Sequence, residues 1–252
     1  MTQNLAILQA RMTSTRLPGK VMQEINGKPM ISWQISRILK SNVDGLVLVT
    51  STEESDNTLS EYVNSLGVPV YRGSIENVFS RFWAVVEKYK PDNFLRFTGD
   101  CPLVMPHLIN EMLIDFEQFP CDYMSNTNPP TFPDGLDIEI VTCAALERLS
   151  KLELTTPEKE HVTIGLYQRP EAFTLRNFIS LNDYSNMRWT VDYPEDLEFV
   201  RRVYEQFIGK EIDFEFEDVV QLIKLKSIQD NVLTNEFRNV TIDSNAQRGS
   251  SV

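Results

Sequence analysis

Short apolar runs alternate with amphipathic stretches through the first half of the chain. Leu5-Ala6-Ile7-Leu8 and Leu46-Val47-Leu48-Val49 are continuous apolar runs, the pattern of strands buried on both faces. Residues 68–71 and 94–97 predict two more strands. Between them, Met30, Trp33, Ile35, Ile38 and Leu39 recur at helical spacing, so residues 30–39 predict a helix that starts at the turn Asn26-Gly27-Lys28-Pro29. Residues 55–66 predict a second helix, capped by Ser55 or Asp56 and ended by Gly67. Residues 78–89 predict an aromatic-rich third. This β-α-β-α order implies an α/β fold with a parallel sheet covered by helices on both faces.

The second half is less regular. Residues 106–116 predict a helix, and Pro129, Pro130 and Pro133 make 128–134 a loop or lid. Residues 138–141 predict a strand and 157–167 a helix with Pro157 at its first position. A strand over 173–178 fits an excursion from the sheet, and a short strand over 189–191 ends at Asp192. Amphipathic helices are expected over 194–207 and 216–225. Residues 1–233 then form one domain, and the Asn- and Ser-rich residues 234–252 form a polar tail that frays.

Composition narrows the partners. The net charge of -12 over 252 residues argues against a general nucleic-acid or membrane surface, which would repel the chain. Cys101, Cys121 and Cys143 are odd in number and lack paired short spacing, which argues against a disulfide scaffold or zinc site and for a reducing cytoplasm. The apolar run at the N-terminus has no basic flank and is too short for a signal peptide. No stretch reaches the length of a transmembrane helix.

Against that acidic background, residues 10–20 pack Arg11, Arg16 and Lys20 into one loop after the first strand: Ala10-Arg11-Met12-Thr13-Ser14-Thr15-Arg16-Leu17-Pro18-Gly19-Lys20. Converging guanidinium and ammonium donors suit a polyanion, and a nucleoside triphosphate fits best. The glycine spacing of a Walker or dinucleotide motif is absent. The bland alternative is a solvated loop paired with surface carboxylates. Asp100 follows a strand end, where open parallel sheets hold ligands, and Asp192 ends the short strand. Two such carboxylates suit Mg²⁺ through oxygen ligands, although either is equally able to cap the following helix.

Three weaker signals follow. Asp137 and Glu139 alternate along a strand in Pro133-Asp134-Gly135-Leu136-Asp137-Ile138-Glu139 and share a face; this suits a hydroxyl-rich substrate, or a plain solvent-facing edge after a turn. His161 lies in a helical pattern, where a lone histidine is usually packed or exposed. Arg72, in Arg72-Gly73-Ser74, follows the third strand and is placed to contact nucleobase, ribose or phosphate. No Ser-His-Asp or Cys-His set supports a covalent nucleophile.

Residues 10–20, followed by Asn26-Gly27-Lys28-Pro29-Met30-Ile31, resemble the opening signature of the CMP-sugar synthetases, the cytidylyltransferases for octulosonate and nonulosonate sugars, and among them the SpsF group of spore-coat polysaccharide proteins. Arg72-Gly73-Ser74, Thr98-Gly99-Asp100-Cys101-Pro102-Leu103, Pro133–Glu139, Glu160-His161-Val162-Thr163 and Val191-Asp192-Tyr193-Pro194-Glu195-Asp196-Leu197 are similar to that group too, so the resemblance runs from about residue 5 to 200. Thr13 stands where many relatives carry glycine. The resemblance implies a three-layer, Rossmann-like nucleotide-diphospho-sugar transferase fold. It gives CTP to Ala10, Arg11, Met12, Thr13, Ser14, Arg16, Lys20, Arg72 and Asp100, with Arg11, Arg16 and Lys20 facing phosphates. It gives Mg²⁺ to Asp100 and Asp192; the residues themselves make Asp137, Glu139 and His161 the candidate contacts for the sugar acceptor. It also implies a homodimer built through an excursion within residues 131–180. Transfer of another nucleotide to a sugar phosphate, a glycosyltransferase that consumes a nucleotide sugar, and a non-catalytic binding protein remain as alternatives.

Overall fold

Strands with alternating faces build the centre of the molecule, as seen in a computed structural model that describes residues 3–226 and residue 228. In chain order the elements are β1 (Asn4–Gln9), β2 (Glu24–Ile25), β3 (Lys28–Pro29), α1 (Met30–Lys40), β4 (Gly45–Ser51), α2 (Asn57–Ser65), β5 (Val70–Gly73), α3 (Val78–Tyr89), β6 (Asn93–Thr98), α4 (Pro106–Gln118), β7 (Tyr123–Ser125), β8 (Glu139–Thr142), α5 (Cys143–Ser150), α6 (Thr156–Glu160), α7 (Ile164–Tyr167), β9 (Leu175–Asn177), α8 (Pro194–Glu205) and α9 (Phe216–Lys224). The main sheet has the order β5-β4-β1-β6-β8-β7-β9. Its pairings are parallel except where β8 runs against β6 and β7.

Both faces are covered, as the apolar runs require. Ala6, Leu8, Leu46, Leu48, Leu95 and Phe97 pack with residues of α1, α2, α4, α8 and α9. Leu5, Ile7, Val47, Val49 and Phe94 point the other way, onto α3, α5 and α7. The period-2 alternation of strand side chains produces this three-layer arrangement. Among the described residues no helix is long and apolar enough to cross a membrane.

Four expectations need correction. The turn before α1 is a two-residue hairpin joining β2 to β3, with Asn26 and Gly27 at φ of 46° and 73°, the pair of positive angles a tight hairpin demands. Residues 157–167 are two short helices, because Val162 at φ 45° breaks the chain direction between them. Residues 189–191 form no strand. Trp189 and Thr190 donate instead to the Asp134 carbonyl (2.6 and 2.9 Å), and Val191 donates to that of Asp100 (2.8 Å). The Asp56 side chain does not cap α2. Residues 131–180, read as containing an excursion, contribute β8, β9 and α5–α7 to the sheet and one helical layer. The sequence reading missed β7 and α5. The 234–252 tail lies outside the described residues.

Candidate active site

The carboxyl ends of β1 and β6 lie side by side, and both candidate motifs leave the sheet there. Close approach has a steric reason: a Cβ on Gly99 would stand 2.7 Å from that of Ala10, so a side chain there would force the two loops apart. The first loop curls about Met12. Its carbonyl accepts from Ser14 (3.1 Å) and Gly19 (2.9 Å), and its N–H donates to Asp56 Oδ1 (2.7 Å). Thr13 is exposed, and Ser14 Oγ accepts weakly from Leu17 N–H (3.4 Å).

This curl turns Lys20 inward. Its ammonium lies buried between the two acidic residues, donating to Asp100 Oδ2 (3.2 Å), Asp192 Oδ1 (2.9 Å) and the Val191 carbonyl (2.8 Å). Arg16 reaches the other oxygen of Asp192 (3.0 Å) and lies over the Tyr193 ring. The structure thus brings Arg16, Lys20, Asp100 and Asp192 together. Neither aspartate caps a helix. The amides of Asp192 and Tyr193 donate to Asp196 Oδ2 (2.9 Å each), so Asp196 serves the start of α8 and leaves Asp192 free to face the cations.

Electrostatics reinforces the geometry. Burial alone would raise the Asp100 carboxyl, but the Lys20 ammonium and the Thr98 hydroxyl (2.6 Å) hold it down at about 2. Burial likewise opposes charge on Lys20, yet the two carboxylates raise its pKa above the ordinary value. Lys20 is therefore cationic and Asp100 ionised at neutral pH.

Arg11 is exposed, with no ion pair to its guanidinium among the described residues. Arg72 donates to the carbonyls of Ser51 (2.9 Å) and Glu53 (2.8 Å), bracing the turn after β4. Asp137 precedes β8 and lies near enough to Cys101 to help raise its thiol, behind burial and Asp100. Glu139 is buried, with its carboxylate engaged by Arg96, the Tyr123 hydroxyl (2.7 Å) and the Thr163 hydroxyl (2.7 Å). His161 is half-buried at the break between α6 and α7; burial lowers its pKa, so it is neutral at pH 7.

Sequence reasoning missed Arg188, which sits at the centre of the acidic side. It donates to Asp134 (3.1 Å), Asp192 (3.0 Å) and Asp196 (3.2 Å), tying the Pro133-Asp134-Gly135 turn to the site. A Cβ on Gly135 would overlap the Thr190 nitrogen, so this turn docks against the 189–191 segment only as glycine. Asp56, Thr98, Arg96, Tyr123 and Thr163 were also missed. A basic residue four before Asp192 was the one visible hint of Arg188; Thr98 bonds Asp100 two residues on, while Arg96, Tyr123 and Thr163 meet Glu139 across long sequence separations.

The residues fit a magnesium ion. Asp100 and Asp192 offer the hard oxygen donors such an ion takes, and Asp100 keeps 29% of its side chain exposed. No group of three or more acidic, histidine or cysteine side chains among the described residues could hold a metal.

An α/β sheet with a cationic first loop closing on two strand-end carboxylates defines a nucleotidyltransferase-like protein. Residues 5–236 match the cytidylyltransferase family model, and the chain belongs to the cytidylyltransferase family. It is 31% identical to the spore coat polysaccharide biosynthesis protein SpsF of Bacillus subtilis, over 88% of this chain and 95% of that protein. A 3-deoxy-manno-octulosonate cytidylyltransferase of Fusobacterium nucleatum is 35% identical over 45% of this chain and 46% of its own length. A solved cytidylyltransferase structure from Leptospira borgpetersenii superimposes with a TM-score of 0.85 at 30% identity, covering 90% of this chain and 96% of that one.

Proposed function

We propose that the protein transfers the cytidylyl group of CTP to a hydroxyl of a keto-acid sugar of the octulosonate or nonulosonate type, releasing pyrophosphate, to supply a surface polysaccharide. The observation that carries this reading is the Lys20 ammonium bridging Asp100 and Asp192, which fixes a positive loop against a paired acidic edge. Family membership supports cytidylyl transfer, and the octulosonate relative supports a sugar acid as acceptor.

The acceptor oxygen forms a bond to the α-phosphorus as the bond from that phosphorus to the β-phosphate oxygen breaks. The acceptor proton passes to solvent and pyrophosphate leaves. Arg11, Arg16 and Lys20 offset the charge that grows on the leaving group, and Ala10, Met12, Thr13 and Ser14 shape the loop around the triphosphate. Arg72 steadies the neighbouring turn. Asp100 and Asp192 would hold the magnesium ion, which supplies charge neutralisation when bound. Lys20 competes for the same oxygens. Asp137 and neutral His161 contact the acceptor, and buried Glu139 positions the segment that carries His161. Positioning and electrostatics carry the rate, so no strong base is needed.

The test measures pyrophosphate release from CTP, UTP, GTP and ATP against a panel of sugar acids and sugar 1-phosphates. CTP with a sugar acid is expected to turn over. Turnover confined to another nucleotide with a sugar phosphate overturns the reading, and so does release of a nucleoside mono- or diphosphate from a nucleotide sugar. The reading places the protein in the cytoplasm as a homodimer. The exposed Ile179 and Leu181 offer apolar contact at the end of the 131–180 span, and a monomer in light scattering at micromolar concentration would remove the dimer from it.

A further inference from the structure

Asp56 is 1% exposed, 44 residues from Met12 in sequence, and its carboxylate is saturated. Oδ1 accepts the Met12 N–H at 2.7 Å. Oδ2 accepts the Thr50 hydroxyl at 2.9 Å, the Ser51 N–H at 3.1 Å and the Ser51 hydroxyl. The Met12 carbonyl, on the next peptide unit, gathers the two halves of the first loop by accepting from Ser14 N–H and Gly19 N–H. One buried charge thus ties the end of β4 to the one residue, Met12, around which the cationic loop is wound. Burial disfavours that charge, and the four donors more than offset this and keep the carboxyl below its usual range.

We infer that Asp56 is a positioning residue for the nucleotide: it sets the Met12 peptide, and through it the direction in which Arg11 and Arg16 leave the loop. The inference rests on the assignment of residues 10–20 to a triphosphate. Four converging bonds to an anion make this anchor stiffer than a helix cap, which needs one acceptor for one or two amides. Loop preorganisation lowers the ordering cost of nucleotide binding, so loss of the anchor shows in affinity beyond any loss of stability.

The experiment compares wild type, Asp56→Asn and Thr50→Val in two measurements: amide exchange at Met12 without nucleotide, and the dissociation constants of CTP, UTP, GTP and ATP by calorimetry. Asp56→Asn presents an amide N–H₂ to donors. It is expected to speed Met12 exchange and weaken CTP by about 10- to 100-fold, the scale of a hydrogen bond to a charged group. Thr50→Val removes one donor from the same carboxylate without touching the loop, so it should lower the melting temperature yet leave Met12 exchange and affinity near wild type. Asp56→Glu keeps the charge but displaces it by one methylene; the same loss of affinity is expected from it, and it serves if Asp56→Asn does not fold. Unchanged CTP affinity in the folded Asp56 variants overturns the inference. So does an equal loss of affinity in Thr50→Val, which would mark general destabilisation. A wild type that binds none of the four nucleotides overturns the nucleotide reading instead. The two failures are distinguishable because Met12 exchange is read without nucleotide.

Discussion

Replacing Lys20 by Met keeps the length of the side chain and deletes the ammonium that joins the two halves of the candidate site. Three bonds disappear at once, to Asp100, Asp192 and the Val191 carbonyl. Breaking a buried ion pair by removing one partner costs about 3–5 kcal/mol. Two features of the structure place this case at the lower end. Asp192 keeps Arg16 and Arg188, and Asp100 keeps the Thr98 hydroxyl and partial access to water. We expect a loss of ~3 kcal/mol in urea unfolding at pH 7, or roughly 6–12 °C in melting temperature for a chain of this size. The sign with pH follows from the depressed Asp100 carboxyl. Its folded value of about 2 lies below the ordinary 3.8, so the stabilisation is complete above about pH 4. It fades as pH falls through 2, and the gap between wild type and variant narrows with it. In the variant, carboxyl carbon NMR should show Asp100 titrating upward, because burial then acts with the ammonium gone. Millimolar Mg²⁺ should raise the variant's melting temperature more than the wild type's, since the ammonium no longer competes for those oxygens. A loss under about 1 kcal/mol together with an unmoved Asp100 titration would refute this account of the cluster.

Three other outcomes are expected. Asp100→Asn should retain its circular dichroism spectrum and reduce pyrophosphate release by about 10²–10³, the scale of one lost electrostatic contact; Mg²⁺-dependent release at the wild-type rate would remove Asp100 from the site. Gly135→Ala should destabilise by more than ~2 kcal/mol in urea unfolding, because its Cβ overlaps Thr190 and its φ is 110°; a change below 0.5 kcal/mol, on the scale of about the average surface substitution, would contradict the docking of this turn. Burial lowers the His161 pKa, so the folded state resists protonation there, and stability should fall as pH drops below about 6.5. Chemical denaturation at pH 5.5 and 7.5 should show a smaller fall in His161→Gln than in wild type; equal falls would place the titration elsewhere.

What the chain determined by itself were the features that depend on neighbours in sequence. The apolar runs at 5–8 and 46–49 fixed β1 and β4, because a strand buried on both faces leaves an unbroken apolar signature. The helical spacing at 78–89 matched α3 end to end. The density of cations at 10–20 and the carboxylate at a strand end pointed to groups that the structure brings into contact. Tertiary structure alone decided which partners these groups take. Asp56 carries every local sign of a helix cap, yet one of its oxygens accepts from a loop 44 residues away and the other from the end of β4. Arg188 looks like one more basic residue, and only the docking of the 133–135 turn on 189–191 makes it the hub of three carboxylates. The helix expected over 157–167 breaks at Val162, whose φ is 45°, and the next residue's hydroxyl, on Thr163, donates to Glu139 across 24 residues. Local propensity acts over a turn or two of chain. A buried charge instead takes whatever donors the fold brings within about 3 Å, and the sequence does not encode that proximity.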